Sequence, residues 1–236
     1  QLPRLPSDDG LIDPQVLARR VLGRTAVHHS QPRIVSITQS TESGRVWSAT
    51  AIAEFVGRAH GLGLLVHVDG ARIGNAVAAL GVDPAEAIGD ADIVSVGGTK
   101  NGMMFGDAVL VRRPELFDGV HFVQKQIGHL ASKQRYVAAQ FEAMFADGLW
   151  LSTASRANAM AARLSEGMMA LGLRLASPVE ANEVFVAMDP ELHRRFGDTY
   201  AVHQPDLGEP VVRFVCSWAT TDADVDGALA TLCGLL

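Results

Sequence analysis

The sequence predicts an α/β protein: a mostly parallel sheet domain followed by a smaller C-terminal α+β domain. Three observations predict this. Short apolar runs alternate with helical stretches through the first half, which implies right-handed crossovers between neighbouring parallel strands. Those runs are nearly all apolar, as expected when helices cover both faces of a sheet. After Pro114 the pattern changes to long helical stretches and then to short strands with fewer helices.

The elements follow in order. Gln1–Gly10 reads as a loop. Asp13 before Pro14 suits an N-cap and a first-turn proline, so a helix is expected from Pro14 to about Leu22. The run Arg33–Thr38 reads as a strand, Thr50–His60 as a helix stopped by Gly61, and Leu64–Val68 as a second strand stopped by Asp69 and Gly70. Gly74–Leu80 is a short helix. Asp92–Val96 is a third strand closed by Gly97 and Gly98, and Ala108–Val111 is a fourth. Helical stretches are expected over Val120–Phe145 and Trp150–Leu171. A strand at Glu183–Ala187, a helix near Pro190–Arg195, a strand at Val211–Ser217 and a helix from Asp222 complete the chain, with Thr221 as N-cap. The division falls into a sheet domain with linking helix over 1–145, and a linking helix with the small domain over 146–236.

Composition narrows the function. Of the 236 residues 48% are hydrophobic and 19% charged, an ordinary globular balance. A net charge of −6 argues against non-specific nucleic-acid binding. No apolar run is long enough to cross a bilayer. No signal peptide is read, and two cysteines, Cys216 and Cys233, are too few for a disulfide framework, so a cytoplasmic setting is the expectation. Because the first residue is Gln1 rather than Met, upstream sequence is expected. No metal site is expected: His28 and His29 lack partners at ligand spacing.

Ligands of open α/β sheets sit beyond the carboxyl ends of the strands. That rule selects Asp69, Arg72, Thr99 and Lys100. In His67-Val-Asp-Gly-Ala-Arg72 an acid and a base follow one strand; in Ser95-Val-Gly-Gly-Thr-Lys100 a lysine follows the next. A lysine flanked by small residues can be partly desolvated, which makes its amine a nucleophile for a carbonyl. Taken singly, an Asp-Gly pair is most often a turn and a glycine-flanked lysine most often a solvated one. The loop lacks the spacing of a nucleotide phosphate loop. The joint order strand–Asp, helix, strand–Lys suits pyridoxal 5′-phosphate (PLP): a carboxylate for the ring nitrogen, an amine for the aldehyde, and an arginine fork for a substrate carboxylate. His67 shares a strand face with Asp69, and both a satisfied core histidine and support of the site remain open. Cys216 lies in an apolar strand and reads as a buried thiol.

These segments resemble the threonine aldolase and beta-eliminating lyase family. His67-Val-Asp-Gly-Ala-Arg72 is similar to its H-x-D-G-A-R segment, and Ser95-Val-Gly-Gly-Thr-Lys100 to the cofactor-lysine loop of one subgroup. Ile34-Val-Ser-Ile-Thr-Gln-Ser-Thr-Glu42, Lys125 to Arg135, Val179-Glu-Ala-Asn-Glu-Val184 and Val212-Arg-Phe-Val-Cys-Ser-Trp218 also match. The resemblance implies a PLP-dependent transferase-like fold (fold type I, aspartate-aminotransferase-like). It implies PLP attached to Lys100, Asp69 on the ring nitrogen, Thr99 as a phosphate contact, and Arg72 and Arg213 on the substrate carboxylate. Lys125 and Lys133 lie in a segment that in the family approaches a neighbouring subunit's site; a solvated helix face is the other reading. A homo-oligomer, dimer or tetramer, acting on a small amino acid is implied, with no nucleic-acid or membrane partner. The implied reaction cleaves a β-hydroxy-α-amino acid to glycine and an aldehyde; beta-elimination and a catalytically impaired remnant are the alternatives. Two departures stand out. The family's phosphate-binding Gly-Thr loop and ring-stacking histidine lie upstream of Gln1. Where many members carry E-N-T-H, this chain has Gln39-Ser-Thr-Glu42, so Thr41 or a neighbour stands in for that histidine.

Overall fold

The computed structural model describes residues 3–7, 9–21, 27–28, 30–205 and 210–236. Helix α1 (Pro14–Val21) begins where Asp13 Oδ1 accepts from the Gln15 amide at 2.8 Å; its expected last residue, Leu22, lies outside the described residues. Strand β1 (Ile34–Thr38), helix α2 (Ala49–Gly61), strand β2 (Leu65–Gly70), helices α3 (Ile73–Leu80) and α4 (Pro84–Ile88), and strands β3 (Ile93–Gly97) and β4 (Asp107–Val111) build the first unit. Ser48 caps α2 and Asp83 caps α4, each accepting a hydrogen bond from a first-turn amide.

The sheet order is β1-β2-β3-β4. The first three strands are parallel and β4 is antiparallel to β3. The cause is connection length. Residues 98–106 leave too little chain for a parallel crossover, which takes about a dozen residues or more. On one face Val35, Ile37, Val66, Val68 and Val94 pack under Ile52, Phe55, Val56, Ile73 and Val77. Removing a buried aromatic such as Phe55 typically costs about 3–5 kcal/mol. The other face departs from the expectation of helices on both sides. Ile34, Ser36 and Val109 are exposed there, and Leu65, His67 and Ser95 only half-buried. The intervening polar residues satisfy one another: His67 Nδ1 lies 2.8 Å from Ser36 Oγ and its Nε2 2.9 Å from Ser95 Oγ.

Helices α5 (Pro114–Phe117), α6 (Val120–Gln126), α7 (Arg135–Phe145) and α8 (Leu149–Ala170) follow. The continuous helix expected over Val120–Phe145 is broken. Gly128 takes φ 79° just past α6 and Lys133 takes φ 62° before α7, and left-handed backbone ends a helix. Strands β5 (Arg174–Leu175), β6 (Glu183–Ala187) and β7 (Val211–Val215) form a second, antiparallel sheet, flanked by α9 (Pro190–Gly197) and α10 (Asp222–Leu235). Their core gathers Leu164, Met168, Val184, Phe196, Phe214 and Leu232. Thr221 caps α10 as expected, and Asp224 completes a capping box with it.

Helix α8 belongs to both units. Near its start the Trp150 carbonyl and Thr153 hydroxyl hold Asn101, and Asn158 exchanges two 2.9 Å hydrogen bonds with Asn75 of α3. Further along, Leu164 and Met168 enter the second core.

Candidate active site

Strands β2 and β3 end side by side, with Asp69 in register with Ser95 and Gly70 with Val96. Parallel pairing therefore brings Asp69 and the loop carrying Lys100 to one mouth. Close backbone approach requires glycine here. A Cβ on Gly70 would stand 2.5 Å from the Ser95 carbonyl, and one on Gly97 would stand 2.9 Å from the Ala71 Cα.

Asp69 accepts the Ala71 amide on Oδ1 at 2.9 Å, while Oδ2 has no hydrogen-bond partner among the described residues. The turn thus uses one carboxylate oxygen only. His67, beneath it on the same strand face, is lowered in pKa by burial, against the pull of the Asp69 charge. Its two ring nitrogens are both occupied by serine hydroxyls, so it braces the strand ends rather than offering a free base.

Lys100 sits in a 3-10 turn, Thr99–Asn101. Its amine makes no ion pair or hydrogen bond among the described residues, and both Lys100 and Thr99 are exposed. The expectation of a partly desolvated lysine is corrected here, since the described residues leave this side of the mouth open. The turn itself is held firmly. The Asn101 amide group donates to the Trp150 carbonyl at 2.7 Å and accepts from Thr153 Oγ1 at 3.0 Å.

Arg72 follows the Asp69 turn and is only 8% exposed. Its Nη2 lies 3.0 Å from Glu183 Oε1 on β6, and Arg213 Nη1 on β7 lies 3.6 Å from the same oxygen. The two arginines assigned to one carboxylate thus converge from different units, and they do so on an internal acid that sequence reasoning took for the start of a strand. Burial pushes the Glu183 carboxyl above the usual carboxylate range, against the pull of Arg72 and then Arg213; Glu42 and Lys100 act on it more weakly. Glu42 is the exposed residue at the fourth position of the Gln39-Ser-Thr-Glu42 stretch. Thr41 is engaged elsewhere, donating to the Asp9 carbonyl at 3.0 Å and accepting the Arg45 amide. Ser40 Oγ is buried without a partner. Among the described residues no group of three or more metal-ligating side chains forms.

A family profile described as beta-eliminating lyase matches residues 1–191. The chain belongs to the beta-eliminating lyase family. Curated relatives agree. The low specificity L-threonine aldolase of Pseudomonas sp. (strain NCIMB 10558) is 38% identical over 223 residues, covering 93% of this chain and 64% of the relative. That of Pseudomonas aeruginosa is 38% identical over 217 residues, covering 89% and 62%. The chain therefore spans less than two thirds of the length of these relatives. Among solved structures, a Leishmania major threonine aldolase superposes with TM-score 0.91 at 26% identity, covering 98% of this chain and 69% of that one. The N-succinyldiaminopimelate aminotransferase of Mycobacterium tuberculosis, at 18% identity and TM-score 0.67, covering 98% and 64%, shares the fold alone. The fold is the PLP-dependent transferase-like fold, fold type I.

Proposed function

We propose that the protein is a PLP-dependent aldolase that cleaves a threonine-like β-hydroxy-α-amino acid to glycine and an aldehyde. The observation that carries this reading is the convergence at one mouth of an acid with a free oxygen, an unpaired lysine and an arginine pair. PLP has three anchor points, and these residues fit them. Asp69 offers a carboxylate to the ring nitrogen, Lys100 an amine to the aldehyde, and Thr99 a hydroxyl to the phosphate. When bound, PLP supplies an electron sink for the carbanion left at Cα.

The chain's own residues do the rest. Arg72 and Arg213 fix the substrate carboxylate, whose planar shape matches a guanidinium fork. Asp69 keeps a proton on the ring nitrogen by its negative charge. Lys100 would hold the cofactor through its amine.

The division at 145/146 is our reading of where one unit gives way to the other. Support for it comes from the two sheets and two cores, joined by α8. Among the described residues no helix is long and apolar enough to cross a membrane; a cytoplasmic enzyme without nucleic-acid or membrane partners is the reading we adopt. A homo-oligomer is favoured by the surface over α5 to α7, where Phe117, Phe122, Val123, Ile127, Leu130 and Tyr136 are all exposed.

The test is product analysis. Full-length protein incubated with PLP and L-threonine is expected to give acetaldehyde and glycine in equal amounts. The family also contains eliminating enzymes, and 2-oxobutanoate with ammonia would assign the protein to them instead. Neither product pair would reject both.

A further inference from the structure

We propose that Glu183 is a positioning residue for the substrate carboxylate: its buried side chain holds Arg72 and Arg213 together so that the pair receives one carboxylate from the mouth. This rests on the aldolase reading above and deepens it by assigning a task to a residue outside the cofactor contacts.

The argument begins with placement. Glu183 opens β6 and is fully buried, at 0% exposure. A charged residue buried that deeply is rare unless it is paired. Its partners come from two directions. Arg72 follows the turn after β2, whereas Arg213 is the third residue of β7, one strand over from Glu183. Without an acid between them the guanidiniums would repel, and Arg213, at 27% exposure, has a route to solvent. Glu183 restrains that freedom by facing both at ion-pair distance with the same oxygen, Oε1.

The second observation concerns what is left over. Arg72 Nε and Arg213 Nε are buried and make no hydrogen bond, and neither do the two Glu183 carboxylate oxygens, Oε1 meeting the arginines at ion-pair distance only. Buried polar atoms are ordinarily satisfied, so donors left unpaired on two arginines that already face one acid leave room for a further acceptor from the mouth. One acid between two guanidiniums leaves a single positive charge over, which matches a substrate carrying one carboxylate. The Glu183 backbone is fixed as well. β6 pairs along its length with β7, and the preceding Asn182 donates its side-chain amide to the Cys216 carbonyl at 2.7 Å. The acid is therefore set by the second sheet, while Arg72 is set by the first.

The experiment uses full-length protein loaded with PLP and compares wild type with Glu183→Gln, which keeps the shape and removes the charge. The readouts are KM and kcat for L-threonine and the Kd of glycine by calorimetry. KM and the glycine Kd are expected to rise about tenfold or more, each factor of ten being about 1.4 kcal/mol, with kcat within about threefold of wild type because the reacting atoms are untouched. A merely structural acid would lower melting temperature and kcat together and leave the glycine Kd of the folded fraction unchanged; that result overturns the proposal. Should Glu183→Gln not accumulate as folded protein, Glu183→Asp carries the test. Its carboxylate is shorter by one methylene, so KM and glycine Kd should rise while kcat holds, and unchanged values overturn the proposal. Failure of the aldolase reading looks different: wild type would bind glycine but release no acetaldehyde from threonine, while the Glu183 comparison in glycine Kd would still be readable.

Discussion

Replacing Asp92 with asparagine should destabilise the fold by about 2–4 kcal/mol at neutral pH. Asp92 is 1% exposed and sits just before β3. Its Oδ2 accepts the Val66 amide at 2.6 Å and faces His60 Nε2 at 3.0 Å, and its Oδ1 accepts from Arg113 Nε. One carboxylate thus ties α2, β2, β3 and the segment after β4 together. Asparagine turns one acceptor oxygen into an NH2 group. The milder arrangement aims that NH2 at Arg113, whose partly exposed side chain can move to water, so the ion pair itself contributes little. Weakening the Val66 bond from charged to neutral acceptor costs about 1 kcal/mol, and a buried NH2 without a partner costs about 1–3 kcal/mol more. For a chain of this size each kcal/mol lowers Tm by about 2–4 °C, so a fall of about 4–16 °C is expected. The pH dependence has a definite sign. Burial would raise the Asp92 carboxyl, but the Val66 amide, His60 and Arg113 together outweigh it and hold the pKa below the usual value. A depressed acid contributes stability above its unfolded pKa of about 3.9 and loses it as pH falls through the folded value. Urea unfolding followed by circular dichroism should therefore show a gap between wild type and variant at neutral pH that closes in acid. A gap under about 0.5 kcal/mol at neutral pH, within the usual scatter of surface substitutions, or one that does not change with pH, would refute the reasoning.

Further outcomes concern the mouth. Lys100→Ala should abolish covalent attachment of PLP without unfolding the chain, since an exposed side chain leaves no core; borohydride trapping followed by peptide mapping should label Lys100 in wild type, and label on another lysine sinks the assignment. Asp69→Asn should keep its Asx turn, because asparagine Oδ1 can still accept the Ala71 amide, so Tm should move little. Its kcat should drop roughly 10- to 1000-fold, the value of about 1–3 pKa units at the ring nitrogen; near-normal kcat in cofactor-saturated protein would remove Asp69 from the site. Arg213→Ala should raise KM for amino acids and also cost stability by leaving Glu183 with Arg72 alone; a fall in Tm with unchanged KM would mark it as a structural ion pair. The buried Cys216 thiol, pushed up to about 11 by desolvation, should resist alkylation in the native protein at pH 8, whereas rapid labelling would contradict its burial.

Much of this was legible in the residues. Apolar runs ended by Asp-Gly and Gly-Gly marked β2 and β3, and the carboxyl-end rule then selected Asp69, Arg72, Thr99 and Lys100 before any geometry was known. Thr221 announced the last helix as its N-cap through local chemistry alone. What stayed hidden depends on partners far away in sequence. Glu183 looks like any polar residue opening a strand until two arginines from different units meet it. Asn101 reads as a loop residue until the backbone of α8 satisfies its side chain. The break between α6 and α7 was masked because that segment packs against little of the chain, so no core pattern interrupted its helical composition. The open sheet face was equally invisible, since Ser36, His67 and Ser95 satisfy one another across three strands and a polar side chain does not reveal its neighbours.

Helix α8 sets a mechanical limit on the whole arrangement. Its first turns grip Asn101, next to Lys100, and its later turns are buried in the core that carries Glu183 and Arg213. A helix of 22 residues is about 33 Å long at 1.5 Å per residue, so pivoting by about 5° at the Asn101 end swings its far end by nearly 3 Å. That displacement is as long as the Arg72–Glu183 contact itself. The amine beside its first turn and the guanidinium carried by the second unit can work on the same small molecule only while the shaft keeps its angle, which makes the Asn75–Asn158 clasp at mid-length a brake on that swing.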